Sequence, residues 1–94
     1  MKKEDLIARL DLAGINYSDY GKEIFAEWGY CGLYAIVSEA DECKVSMRYY
    51  AYEHPVFGPR FFSTIEEAQA DFLERMKPYL RVGFDEHLLE YMRL

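Results

Sequence analysis

From Lys22 the chain alternates apolar and polar side chains, setting Ile24, Ala26 and Trp28 against Glu23, Phe25 and Glu27. The alternation returns at Cys43, where Cys43, Val45, Met47, Tyr49 and Ala51 interleave with Lys44, Ser46, Arg48, Tyr50 and Tyr52. A period of two sends successive side chains to opposite faces, so each stretch predicts a half-buried strand. Residues 33–38 lie between them and read as a third strand, although so apolar a run also fits a short helix. Gly29 and Gly32 bracket a turn at Tyr30-Cys31, and Glu39-Ala40-Asp41-Glu42 forms a charged turn. Parallel neighbours need a crossover of about a dozen residues or more. These joins are far shorter, so the strands must form an antiparallel meander.

Helical periodicity flanks the meander. Leu6, Ile7, Leu10 and Ala13 share one face of residues 3–13, and Gly14 supplies a C-terminal stop. Residues 16–21 then read as a turn-rich connection. After the strands, His54 to Pro59 holds two prolines and reads as a loop, with Arg60, Phe61 and Phe62 returning briefly to a sheet edge. Ser63 to Glu66, or Thr64 to Glu67 one residue later, matches a capping box. Ile65, Ala68, Phe72, Leu73 and Met76 form the apolar stripe of the helix that follows, and Pro78 stops or kinks it. Residues 85–93 predict a last helix, with Asp85 as cap and Phe84, Leu88 and Met92 on one face. The expected fold is therefore α+β in α-β-β-β-α-α order: a three-stranded antiparallel sheet, with a short fourth edge strand allowed, and helices on one face. Residues 1–94 read as one domain. Trp28, Leu33, Val45, Met47, Phe72, Leu73 and Leu88 are the expected core.

The chain carries a formal net charge of −6 and has a pI near 4.8. Such a balance repels phosphate backbones and anionic membranes, and it favours a partner with a basic surface. No secretory leader or long apolar run is visible, and Cys31 and Cys43 form no CxxC pair, so a cytoplasmic protein with reduced, buried thiols is expected.

No catalytic constellation emerges. Gly29-Tyr30-Cys31-Gly32 resembles the surroundings of a nucleophilic cysteine, yet only His54 and His87 could serve as its base. Cys31, Cys43, His54 and His87 lie more than ten residues apart, unlike paired zinc ligands. No glycine-rich phosphate loop occurs. Neither metal nor cofactor is expected, and the chain is read as a non-enzyme. The alternative is a small enzyme or ligand-binding domain using Cys31, a histidine or surface carboxylates. A further alternative places single-stranded nucleic acid on a sheet face bearing Tyr34, Tyr50 and Tyr52 beside Lys44 and Arg48. The net charge disfavours it.

The acidic residues are grouped. Glu39, Asp41 and Glu42 cluster at one hairpin tip, and Glu67, Asp71 and Glu74 follow i, i+4, i+7 spacing along the long helix. Rows of carboxylates on rigid elements mimic the phosphates of a nucleic acid. Together with Tyr34, Tyr50 and Tyr52 as anchors, they are the expected contact residues for a basic protein partner. In element order and charge the whole chain resembles small phage-encoded anti-CRISPR inhibitors, and similar layouts occur in immunity proteins and other phage or mobile-element proteins. That resemblance implies an inhibitor that plugs a nucleic-acid groove. It rests on layout, and it transfers no individual residue.

Overall fold

The computed structural model describes residues 1–29, 31–49 and 60–76. Helix α1 (Lys3–Leu12) leads into strands β1 (Tyr17–Asp19), β2 (Glu23–Trp28), β3 (Cys31–Val37) and β4 (Cys43–Tyr49), and helix α2 (Ile65–Met76) follows. The strands form one antiparallel sheet in the order β1-β2-β3-β4. This is the expected α+β meander, with a fourth strand. The extra strand lies at Tyr17–Asp19, inside the stretch expected as a turn-rich connection. Short polar Asn and Ser side chains hid a strand that pairs Tyr17 with Ala26 and Asp19 with Ile24.

Each turn has a local cause. Helix α1 ends at Gly14, whose φ of 71° lets the Ile15 N–H reach the Leu10 carbonyl and the Gly14 N–H reach that of Asp11. This is the paired bonding of a glycine-terminated helix. The β1–β2 reversal holds because the Asp19 carboxylate accepts the Gly21 N–H at 2.8 Å. Cys31 pairs with Trp28, so it opens β3 and is not part of the turn, as the two glycines had suggested. Residues 33–37 are strand, not helix. The Ser38 hydroxyl accepts the N–H groups of Ala40 and Glu42 and closes the β3–β4 turn. Helix α2 uses the later of the two capping registers: Thr64 Oγ1 accepts the Glu67 N–H at 3.1 Å.

Both helices bury their stripes on one face of the sheet. Leu6, Leu10, Ile24, Val45 and Ile65 have no exposed surface, and Leu33, Met47 and Phe72 are buried beside them. Trp28 and Leu73 are only partly buried, contrary to expectation. Trp28 closes β2, opposite Cys31. The β4 edge is paired in two places. The Cys43 N–H donates to the Met1 carbonyl at 2.7 Å, and Val45 and Phe62 exchange backbone bonds at 2.8 and 2.9 Å. Phe62 thus makes the edge contact expected near residues 60–62. Tyr50, Tyr52, the loop at residues 54–59 and the helix expected at residues 85–93, with Leu88, lie outside the described residues. Among the described residues no helix is long and apolar enough to cross a membrane.

Candidate functional site

The core takes one face of the sheet, and pairing fixes what the other face presents. Ser18, Phe25, Tyr34 and Ser46 lie opposite one another across β1 to β4 and form one row. Glu27, Gly32 and Arg48 form the row on one side of it, and Glu23, Ile36 and Lys44 the row on the other. Strand periodicity puts all three rows on the face away from α1 and α2.

Aromatic rings dominate the centre. Phe25 and Tyr34 stack with centroids 4.5 Å apart and planes 23° from parallel. Tyr20 meets Phe25 edge-on at 5.9 Å, and Phe61 meets Tyr34 edge-on at 5.6 Å. Phe61 can reach this face because its neighbour Phe62 turns to the core side. Ser46, opposite Tyr34, is small enough to leave it room. The Arg48 guanidinium lies 5.6 Å from the Tyr34 ring centre, within cation–π range. The Tyr34 hydroxyl donates to Glu23 Oε1 at 2.7 Å. That bond raises the hydroxyl pKa above its ordinary value of 10, because losing the proton would set an oxyanion against a carboxylate. The row is open at one end and covered at the other: Tyr20 is 70% exposed and Phe25 37%, Tyr34 and Phe61 are half-buried, and Ser46 is buried.

Of the expected contact residues, Tyr34 sits at the centre of this row, with Lys44 and Arg48 on the same face. The carboxylates are placed elsewhere. At the β3–β4 tip, Glu42 pairs with Lys2 Nζ at 3.1 Å and with the Met1 ammonium at 3.4 Å. These two cations hold its carboxyl below the ordinary range. Glu39 is almost wholly exposed, 3.7 Å from Lys22 Nζ. Asp41 occupies the left-handed region at φ 57° and gives its carbonyl to the Lys3 N–H. On α2, Asp71 lies between Arg60 at 3.0 Å and Arg75 at 2.9 Å, the latter a close charge contact and not an aligned hydrogen bond. Glu67 accepts the Thr64 hydroxyl. Glu66, beside the expected row, pairs with Arg9 of α1 at 2.8 Å. The chain's own cations therefore interrupt the helix row and hold part of the hairpin group.

The thiols point into the core. Cys31 and Cys43 are free and buried, six positions apart along the β3–β4 ladder, or about 20 Å. Burial pushes the Cys31 thiol up to about 11, the reverse of what a nucleophilic thiolate requires. His54 and His87 lie outside the described residues. Among the described residues no three His, Cys, Asp or Glu side chains converge as metal ligands. Tyr20, Phe25 and Phe61 are the residues of the ring row that sequence reasoning missed. The available signal was Phe25, an aromatic ring on the polar side of an alternating strand.

Comparison with protein-family models, with curated proteins and with solved structures finds no match to this chain.

Proposed function

We propose that this chain is a non-enzymatic protein-binding domain that docks, as an inhibitor does, on the basic surface of another protein, of the kind that binds nucleic acid. The observation that carries this reading is the ring row Tyr20–Phe25–Tyr34–Phe61 on the sheet face away from α1 and α2, exposed at Tyr20 and Phe25. Rings held by a rigid sheet lose little entropy on binding and make strong anchors once desolvated. Charge selects the class of partner. Glu23 and Glu27 flank Phe25 on β2, in a chain of net charge −6, so a basic surface gains in encounter rate and fit. The Glu39 carboxylate, almost wholly exposed beside Lys22, adds to the same field.

The test starts with capture of the partner from lysate of the source cell and purification of that partner. Affinity is then measured for wild type, for Tyr20→Ala with Phe25→Ala, and for Glu39→Lys with Glu67→Lys, across a salt series. The ring variant is expected to weaken the complex about thirtyfold or more, as loss of hot-spot anchors does. Charge reversal and salt should mainly slow association. A partner that binds all three proteins equally, at every salt concentration, refutes the proposal. A single-stranded oligonucleotide that binds through the same rings assigns the face to nucleic acid instead.

A further inference from the structure

We infer that the groove over β1 beside Phe25 is a recognition site for an arginine side chain, carried by an extended basic segment of the partner that pairs along the β1 edge. The inference rests on the protein-binding reading above and names the chemistry of one part of that face.

The groove is a shallow, open depression of about 370 Å³ lined by Asn16, Tyr17, Ser18, Phe25 and Glu27. Tyr34 covers one face of the Phe25 ring. Phe25 stands on β2 between Ser18 and Tyr34, and Tyr20 meets its ring edge-on at 5.9 Å. The site thus offers an aromatic wall, a small hydroxyl floor, a carboxamide and a carboxylate two residues along the strand. Among the described residues Glu27 makes no ion pair, whereas Glu23 on the other side of Phe25 is engaged by the Tyr34 hydroxyl.

A guanidinium fits this set better than an ammonium. It is planar and stacks on a ring, and its fork of donors can bond Glu27 while others reach Asn16 and Ser18. The chain already uses the same chemistry one strand over, where Arg48 stacks on Tyr34. A partner arginine on Phe25 would extend that stack by one place.

The backbone beside the groove selects an extended segment as the carrier. The Tyr20 N–H bonds the Glu23 carbonyl at 2.9 Å. Bonded pairs alternate in an antiparallel ladder, so the next falls at Ser18 and Phe25. The N–H and C=O groups of Tyr17 and Asp19 then point away from β2, and among the described residues nothing pairs with them. The far edge differs, because Met1 and Phe62 cover β4. An added strand would take up the groups of Tyr17 and Asp19. Its residue opposite Ser18 would project onto the same face, into the groove.

The test titrates a synthetic peptide of alternating arginine and threonine into the isotope-labelled full chain and follows backbone amide shifts. Matched lysine and glutamate peptides and a single-stranded oligonucleotide serve as comparisons. Shifts are expected to centre on residues 16–19, 25 and 27, with the arginine peptide tightest. Glu27→Gln should weaken it about tenfold, the loss expected of one charge-assisted bond, with an unchanged thermal midpoint. Equal binding of the arginine and lysine peptides, shifts centred elsewhere, indifference to Glu27→Gln, or no binding overturns the groove assignment. Tighter oligonucleotide binding at these residues overturns it in favour of base stacking. The broader reading fails separately: a captured partner that needs Phe25 but is indifferent to Glu27→Gln keeps the docking face and removes only the groove.

Discussion

Phe25 and Phe72 offer the same deletion on opposite sides of one sheet, and together they test whether the ring row is surface or core. Phe72 is 5% exposed on the buried stripe of α2. Truncating it removes apolar burial and leaves a cavity, so Phe72→Ala should cost about 3–5 kcal/mol. That is a large share of the ~5–15 kcal/mol that holds a small domain together. Phe25 is 37% exposed, so about two thirds of its burial is realised. Burying a whole phenylalanine side chain is worth about 1.5–3 kcal/mol, which makes Phe25's share about 1–2 kcal/mol. Loss of the stacked Tyr34 contact adds about 0.5–1.5 kcal/mol, and no sealed cavity forms, because water enters freely. Phe25→Ala should therefore cost about 2 kcal/mol, clearly less than Phe72→Ala. Urea unfolding followed by circular dichroism measures both, with unchanged m-values as the check that each variant unfolds from the same fold. If Phe25→Ala destabilises as much as Phe72→Ala, the row is a second core, and the argument for a docking face collapses.

Further outcomes follow from single contacts. Thr64→Ala should destabilise the fold by about 1 kcal/mol through loss of the α2 cap, while Ser63→Ala should change little; thermal unfolding of the two variants decides which capping register operates. The carboxyls of Asp19, Glu42 and Glu66 are all held below their ordinary values: Asp19 by the Gly21 N–H and then Lys3, Glu42 by Lys2 and the N-terminal ammonium, and Glu66 by its own backbone N–H and then Arg9. Their contribution to stability is complete above the ordinary values of 3.8 for Asp19 and 4.5 for the glutamates, and is lost as pH falls through the lower folded values. Thermal midpoints should drop on acidification through that window, and less steeply for Glu42→Gln. Cys31 should react with a thiol reagent at neutral pH only as fast as the chain opens, because its thiol is buried and its pKa is about 11; full-rate labelling of folded protein would contradict its placement in the core.

Periodicity carried most of the fold. The alternation through Ile24 and Ala26, and again through Val45 and Met47, named the core face of two strands, because a side chain's face depends only on its parity along a strand. Gly14 and Thr64 likewise marked helix ends by chemistry that acts within one turn. Strand β1 escaped because three residues cannot establish a period, and Asn16 and Ser18 have turn chemistry. Its strand character comes from pairing with β2, a tertiary fact. Cys31 was misplaced for a related reason. Gly29 and Gly32 both fit a turn, and only the partner strand decides where the turn ends.

The site was less legible because charge and ring contacts depend on neighbours distant in sequence. Within α2 alone, i, i+4 spacing already pairs Asp71 with Arg75 and breaks the line that Glu67, Asp71 and Glu74 suggest. Arg60 sits eleven residues from Asp71 and Arg9 fifty-seven from Glu66, and both supply cations that no helical spacing announces. Phe25 shows the converse. Its parity alone placed it with Glu23 and Glu27 on the side away from the core, where a large ring needs either a cover or a partner. The fold supplies neighbours at its flanks, Tyr34 and Tyr20, and still leaves the ring accessible. A ring held rigid from the side but open above has paid its ordering cost before any partner arrives. Net charge drew attention to the carboxylates, yet a carboxylate already paired at 3 Å must break that pair to serve another. The exposed rings of Tyr20 and Phe25, and Glu27 beside them, which makes no ion pair among the described residues, have no such pair to break.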